Sequence, residues 1–191
     1  MLIAWGDESG SDRRLDPGTY ILGAVITDGI EAENQARERL QTLRLPGQKK
    51  THWKDESDKR RDEIIEALGE CGLDGIVVAR VGPLDERDER RRRKCFKHFA
   101  NTLYESGIQQ LCLESRGVAA DKRDQKLVVG LKSALAIPSA FRLEHARGNT
   151  DPLLWAADAV CGAVVSARIG NLRWWRKIER TVRSESFGWP R

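Results

Sequence analysis

The chain has 191 residues and a mass of 21.5 kDa, with 40% hydrophobic and 32% charged residues, a balance that suits one folded domain and excludes a disordered chain. A net charge of +4 and a pI near 9.0 permit a polyanionic partner without requiring one. The sequence enters a strand pattern at once, so neither a signal peptide nor a membrane anchor is expected, and the setting expected is cytoplasmic.

Met1 to Asp7 reads as a strand with Ile3, Trp5 and Asp7 on one face, running out at the turn-forming Gly6-Asp7-Glu8-Ser9-Gly10. After a polar loop closing at Pro17-Gly18, Thr19 to Ile26 is almost uniformly apolar, which predicts a strand buried on both faces and paired with the first. Ala32, Ala36, Leu40 and Leu43 recur at helical spacing until Leu45-Pro46-Gly47, and Ile64, Ile65 and Leu68 predict a second helix ending near Gly69 to Gly72. Between the two lies a polar segment from Lys49 to Glu56. Gly75 to Val81 is the next strand, and Leu84 to Ser106 a long helix with Cys95, Phe96, Phe99 and Leu103 inward. Gln109 to Ser115 alternates as a half-buried strand, with Leu111 and Leu113 on one face and Cys112 and Glu114 on the other. Leu127, Leu131 and Ala134 suggest a helix stopped by Pro138, and Ala140 to Glu144 a short strand. Asp151-Pro152 then opens a core helix, Leu153 to Ala167, too short and too interrupted to span a bilayer. The expected fold is α/β, a mixed sheet flanked by helices. Residues 1–170 form the domain, and 171–191 form a basic, Trp-rich segment packed on it or extending from it.

Cys71, Cys95, Cys112 and Cys161 have no CxxC spacing and sit mostly among apolar neighbours, so they read as reduced core thiols. His52, His98 and His145 form no HExxH pattern. Zinc has little support, and any metal should be held by oxygen.

Asp7 and Glu8 stand where a strand ends, a rigid place for a metal-binding carboxylate, although a turn Asp capping its own backbone has the same signature. Asp158 lies two turns inside an apolar helix and cannot be a cap. Its charge needs a cation or donors, supplied either by a metal shared with Asp7 or by an Arg. Glu114 ends a strand as Asp7 does and is either a third ligand or a surface acid at a strand edge. Asp121 and Asp124 read first as acids complementing a helix dipole, and Asp151 as a cap. Asp7, Glu114 and Asp158 are the minimum set from which divalent Mg or Mn could activate water against a phosphodiester.

Gly6-Asp7-Glu8-Ser9-Gly10, Tyr20 to Ile26, His52-Trp53-Lys54-Asp55-Glu56, Leu113-Glu114-Ser115 and Leu153 to Val160, in this order over nearly the whole chain, resemble the bacterial domain-of-unknown-function 3800 family. The resemblance implies a ribonuclease H-like fold and a nuclease role, with Asp7, Glu114 and Asp158 around the metals and Glu8 as a near neighbour. It also makes His52 and Glu56, four apart and on one face if the segment is helical, candidates for the cleft. No fourth ligand can be placed among Asp121, Asp124 and Glu144.

The partner expected is nucleic acid. Arg90 to Lys94 looks like a patch for it, yet Glu86, Asp88 and Glu89 stand four residues before Arg90, Arg92 and Arg93, the pairing of a solvated helix face. From Arg168 to Arg191 seven Arg or Lys face only Glu179 and Glu185, a local excess of +5. There Trp174, Trp175 and Trp189 interleave with Arg173, Arg176, Lys177 and Arg183, offering stacking and phosphate contacts. Trp174, Ile178 and Val182 also recur at helical spacing, which suits packing on the domain. A non-catalytic nucleic-acid-binding module, or a structural, partner-binding subunit, is the alternative to an enzyme.

Overall fold

The computed structural model describes residues 1–188; Trp189 and Arg191, counted above with the basic segment, lie outside the described residues. Six strands form one mixed sheet in the order β5-β4-β1-β2-β3-β6: β1 Leu2–Gly10, β2 Thr19–Asp28, β3 Asp74–Val81, β4 Gln110–Glu114, β5 Arg142–Ala146 and β6 Val182–Gly188. The β1–β2 and β2–β3 pairs are antiparallel, and β4, β5 and β6 join in parallel. The helices are α1 Ile30–Gln41, α2 Asp58–Glu70, α3 Asp88–Glu105, α4 Val118–Ser133, α5 Pro152–Arg168 and α6 Trp175–Ile178, with a 3₁₀ turn at Trp53–Asp55.

Strand alternation sorts the core into two layers. Trp5, Ile21, Val25, Val77 and Cys112 face α1, α2, α5 and α6, whereas Ala4, Leu22, Ile76, Leu111 and Leu113 face α3 and α4. Asp7 shares the parity of Trp5, so it looks toward α5; Glu8 shares that of Ala4, so it looks toward α3. The central helix approaches closely because Gly23 lies beneath it, where a Cβ would come within 2.7 Å of the Cys161 sulfur. On the helix itself, a Cβ at Gly162 would collide with the Trp53 ring, which packs across that position.

The elements predicted from periodicity are present, with three main differences. The first strand does not run out at Gly6-Asp7-Glu8-Ser9-Gly10 but continues through that segment, because β2 pairs with it to Gly10. The long helix begins at Asp88 rather than Leu84, since Pro83 and the turn after it hold 83–87 outside. After Ile178 the helical spacing stops, and Val182 to Gly188 pairs with β3 as an edge strand of the sheet. The spacing of Trp174, Ile178 and Val182 is thus produced by a four-residue helix followed by the first residue of a strand. The four cysteines are free thiols, three of them buried. Among the described residues no helix is long and apolar enough to cross a membrane.

Candidate active site

Three acids from separate elements converge where the β1–β4 pairing ends; Asp7 and Glu8 do not end the strand as expected, since β1 continues to Gly10 against β2 and holds both inside it. Gly6 is in register with Leu113, which sets Asp7 beside Glu114, and α5 lies over both with Asp158 one turn before Cys161. The Cys161 thiol reaches the Asp7 carbonyl oxygen at 3.6 Å and ties helix to strand at this point. The convergence is felt electrostatically: burial, then the charge of Asp158, then that of Glu114, push the Asp7 carboxyl up to about 8. Burial also raises Asp158, against the opposing pull of the Trp53 N–H, His52 and Lys50.

What surrounds the acids is sparse. Asp158 Oδ2 accepts from the Trp53 backbone N–H at 2.8 Å, and among the described residues neither Asp158 nor Asp7 forms an ion pair with an arginine. Glu114 Oε1 accepts from Lys50 Nζ at 2.6 Å, while its Oε2 is buried without a hydrogen-bond partner. Gly148 passes over that carboxylate so closely that a Cβ there would collide with both of its oxygens. One ammonium thus stands among three carboxylates. The oxygen donor set, the surplus negative charge and the unpartnered Glu114 oxygen suit a hard divalent cation. Among the described residues, no three Asp, Glu, His or Cys side chains stand in a ready-made coordination arrangement.

The other expected site residues divide. His52 is near enough to Asp158 for its charge to be felt there, and its Nδ1 makes no hydrogen bond. Glu56 does not share a helical face with it. The segment is a 3₁₀ turn, and Glu56 is buried against Gln48 and Arg60, accepting from Gln48 Nε2 at 3.1 Å. Glu8 is turned away from the cluster by strand alternation: its carboxylate is held by Arg92 Nε at 2.7 Å and Arg116 Nε at 2.9 Å. Asp124, read above as a dipole acid, is instead buried in α4 and takes both arms of Arg92, at 2.5 and 2.8 Å, with His145 at 3.3 Å. Arg92 is therefore a core residue and not part of a solvated face. Asp121 accepts from Ser115 Oγ, and Asp151 caps α5 through the Leu153 N–H while pairing with Arg37.

The basic C-terminal segment is engaged by the protein itself. Arg173 pairs with Asp62 and Asp58, and Lys177 with Asp62 and Glu66, all on α2. Trp174 is buried edge-on against Trp53 with centroids 5.1 Å apart, and Arg61 lies 5.3 Å from each ring. Trp175 packs partly buried on the same core, and Arg176 is exposed. Sequence reasoning missed Lys50 and the Trp53 amide. Lys50 was visible only as one lysine in a polar loop, and a backbone N–H has no sequence signal.

No family model matches the chain, and no curated protein does. Solved structures do. The chain is similar to a structure of the PCNA:RNase HII complex from Archaeoglobus fulgidus (TM-score 0.59, 16% identity, 93% of this chain and 79% of that one). It is also similar to the ribonuclease H2 of Pyrococcus horikoshii OT3 (TM-score 0.55, 17% identity, 94% and 76%). With the six-stranded mixed sheet and its flanking helices, the fold is ribonuclease H-like.

Proposed function

We propose that the protein is a divalent-metal-dependent nuclease that hydrolyses phosphodiester bonds of DNA or RNA. The observation that carries the reading is the gathering of Asp7, Glu114 and Asp158 from two strands and a helix, at a cost in repulsion, with Lys50 as their cationic neighbour. Stability alone gives no reason to bring these charges together, because apolar or paired groups at the same positions would avoid the penalty. The likeness of the fold to ribonuclease H2 structures supports the same reading, as does the resemblance of the motif order to the domain-of-unknown-function 3800 family.

In this reading Asp7, Glu114 and Asp158 would hold Mg or Mn, which would supply activation of water and stabilisation of the leaving oxygen. The protein's part is placement. The Trp53 N–H orients Asp158, Gly148 presses the Glu114 carboxylate inward, and the β1–β4 register holds Asp7. Lys50, beside Glu114, would meet a phosphate oxygen, and His52, whose Nδ1 lies 3.5 Å from Asp55, would exchange a proton at the cluster edge.

The test is cleavage of labelled single-stranded DNA, single-stranded RNA, duplex DNA and RNA–DNA hybrid with Mn and with Mg. Activity in at least one substrate is expected, together with its loss by 100-fold or more in Asp7→Asn and Asp158→Asn, about the size of removing a main electrostatic group. Activity persisting in both variants, or none in the wild-type chain with any substrate, counts against the proposal.

A further inference from the structure

The exposed face of α3 carries Arg90, Arg93, Lys94 and Lys97 at spacings of three, four and seven residues, so the four side chains form one stripe. Across a groove, α4 presents Arg123 and Lys126. The groove holds two adjoining cavities of about 510 and 290 Å³, sharing Arg93 and Leu127 in their walls. The six cations are poorly answered. Arg90 and Lys94 share Glu86, whose carboxylate already serves the buried Arg80, and Arg123 has only Glu89 at 3.8 Å. Among the described residues Arg93, Lys97 and Lys126 have no acidic partner within ion-pair distance. The C-terminal segment is the opposite case, since Arg173 and Lys177 are matched by three acids of α2.

The groove is also linked through ion pairs to Glu8, the residue next to Asp7 in β1. Asp124 lines it, Arg92 clamps Asp124, and the same guanidinium holds Glu8, the chain neighbour of Asp7. Arg116, two residues beyond Glu114, grips Glu8 and approaches Asp124 from the other side. A ligand seated between α3 and α4 thus lies on the sheet face toward which Glu8 points, the face opposite to that of Asp7, Glu114 and Asp158.

We infer that the α3–α4 groove, and not the C-terminal segment, binds the sugar–phosphate backbone of the nucleic acid; the choice of nucleic acid as the polyanion rests on the nuclease reading. Arg90 to Lys97 spans about 10 Å along the helix axis, the rise of roughly three phosphates on one strand. The groove has no exposed aromatic side chain in its walls, so it meets charge and spacing and not bases.

Binding of the full chain to fluorescent single-stranded and RNA–DNA hybrid oligonucleotides, measured by anisotropy in EDTA over a salt series, separates the possibilities. Reversal of three exposed charges (Arg93→Glu, Lys97→Glu and Lys126→Glu together) should weaken binding at least 30-fold and flatten the salt slope by about 2 to 3, roughly one for each phosphate left unneutralised. Arg173→Glu with Lys177→Glu should leave both unchanged, and far-UV circular dichroism should show both variants folded. The inference is overturned if the groove variant binds like wild type, if only the C-terminal variant loses binding, or if polyglutamate competes as well as nucleic acid does. Binding with the predicted slope but no cleavage in Mn overturns the nuclease reading and leaves the groove; cleavage untouched by the groove variant does the reverse.

Discussion

Replacing Asp7 by Asn tests whether repulsion at the cluster is real. The folded carboxyl titrates near 8 against 3.8 for the free side chain, so between those values the native state holds a proton that the unfolded chain has released. Stability of the metal-free protein therefore falls as pH rises through this window and levels off above about 8. Taken whole, the shift corresponds to roughly 6 kcal/mol, and relaxation and water entry should leave about 2 to 4 kcal/mol of it. Asn is neutral at every pH and its Oδ1 can still accept the Glu8 backbone N–H that now serves the carboxylate. In EDTA at pH 8.5 the variant should thus melt higher than wild type by about 4 to 16 °C, since each kcal/mol moves the midpoint of a domain this size by about 2 to 4 °C. At pH 4.5 the two should nearly coincide. Mn at millimolar concentration should reverse the order at pH 8.5, because only the wild type gains binding energy. A variant less stable than wild type at pH 8.5 in EDTA, or a difference independent of pH, would refute the reasoning.

Lys50→Met removes the ammonium that faces Asp7 as well as Glu114, so its cost in EDTA should grow by about 1 to 2 kcal/mol between pH 5 and pH 8.5 as Asp7 loses its proton; a cost flat across a pH series of urea titrations sinks the idea. Arg92→Met strands the buried Asp124 and removes one of the two arginines on Glu8, and should cost about 3 to 5 kcal/mol in chemical denaturation at pH 7, far beyond the ~1 kcal/mol of an exposed pair such as Arg173 with Asp62. Gly162→Ala, which would favour an ordinary helix, should here destabilise by about 1 to 3 kcal/mol and shift tryptophan fluorescence, since the methyl group displaces Trp53; a gain in stability would show that Trp53 can move aside freely.

Much of this architecture follows from local patterns. The alternation of β1 and β4 assigns Asp7 and Glu114 to one face, and the apolar run from Leu153 marks α5 as central, with Asp158 needing a partner. Hydrophobic periodicity is a short-range property of the chain, and that is why it can be read from residues alone. Which carboxylate finds which partner is not of that kind. Glu8 stands next to Asp7 yet belongs to Arg92, 84 residues away; Asp124 looks like a dipole acid yet clamps the same arginine; and Arg173 and Lys177 of the C-terminal segment are paired with acids of α2. Pairing energies depend on distance and burial, and both are set only when the layers close around the sheet. The sequence by itself determined the strands, the helices and the faces on which the acids stand, whereas the tertiary structure alone decided which of those acids meet uncompensated.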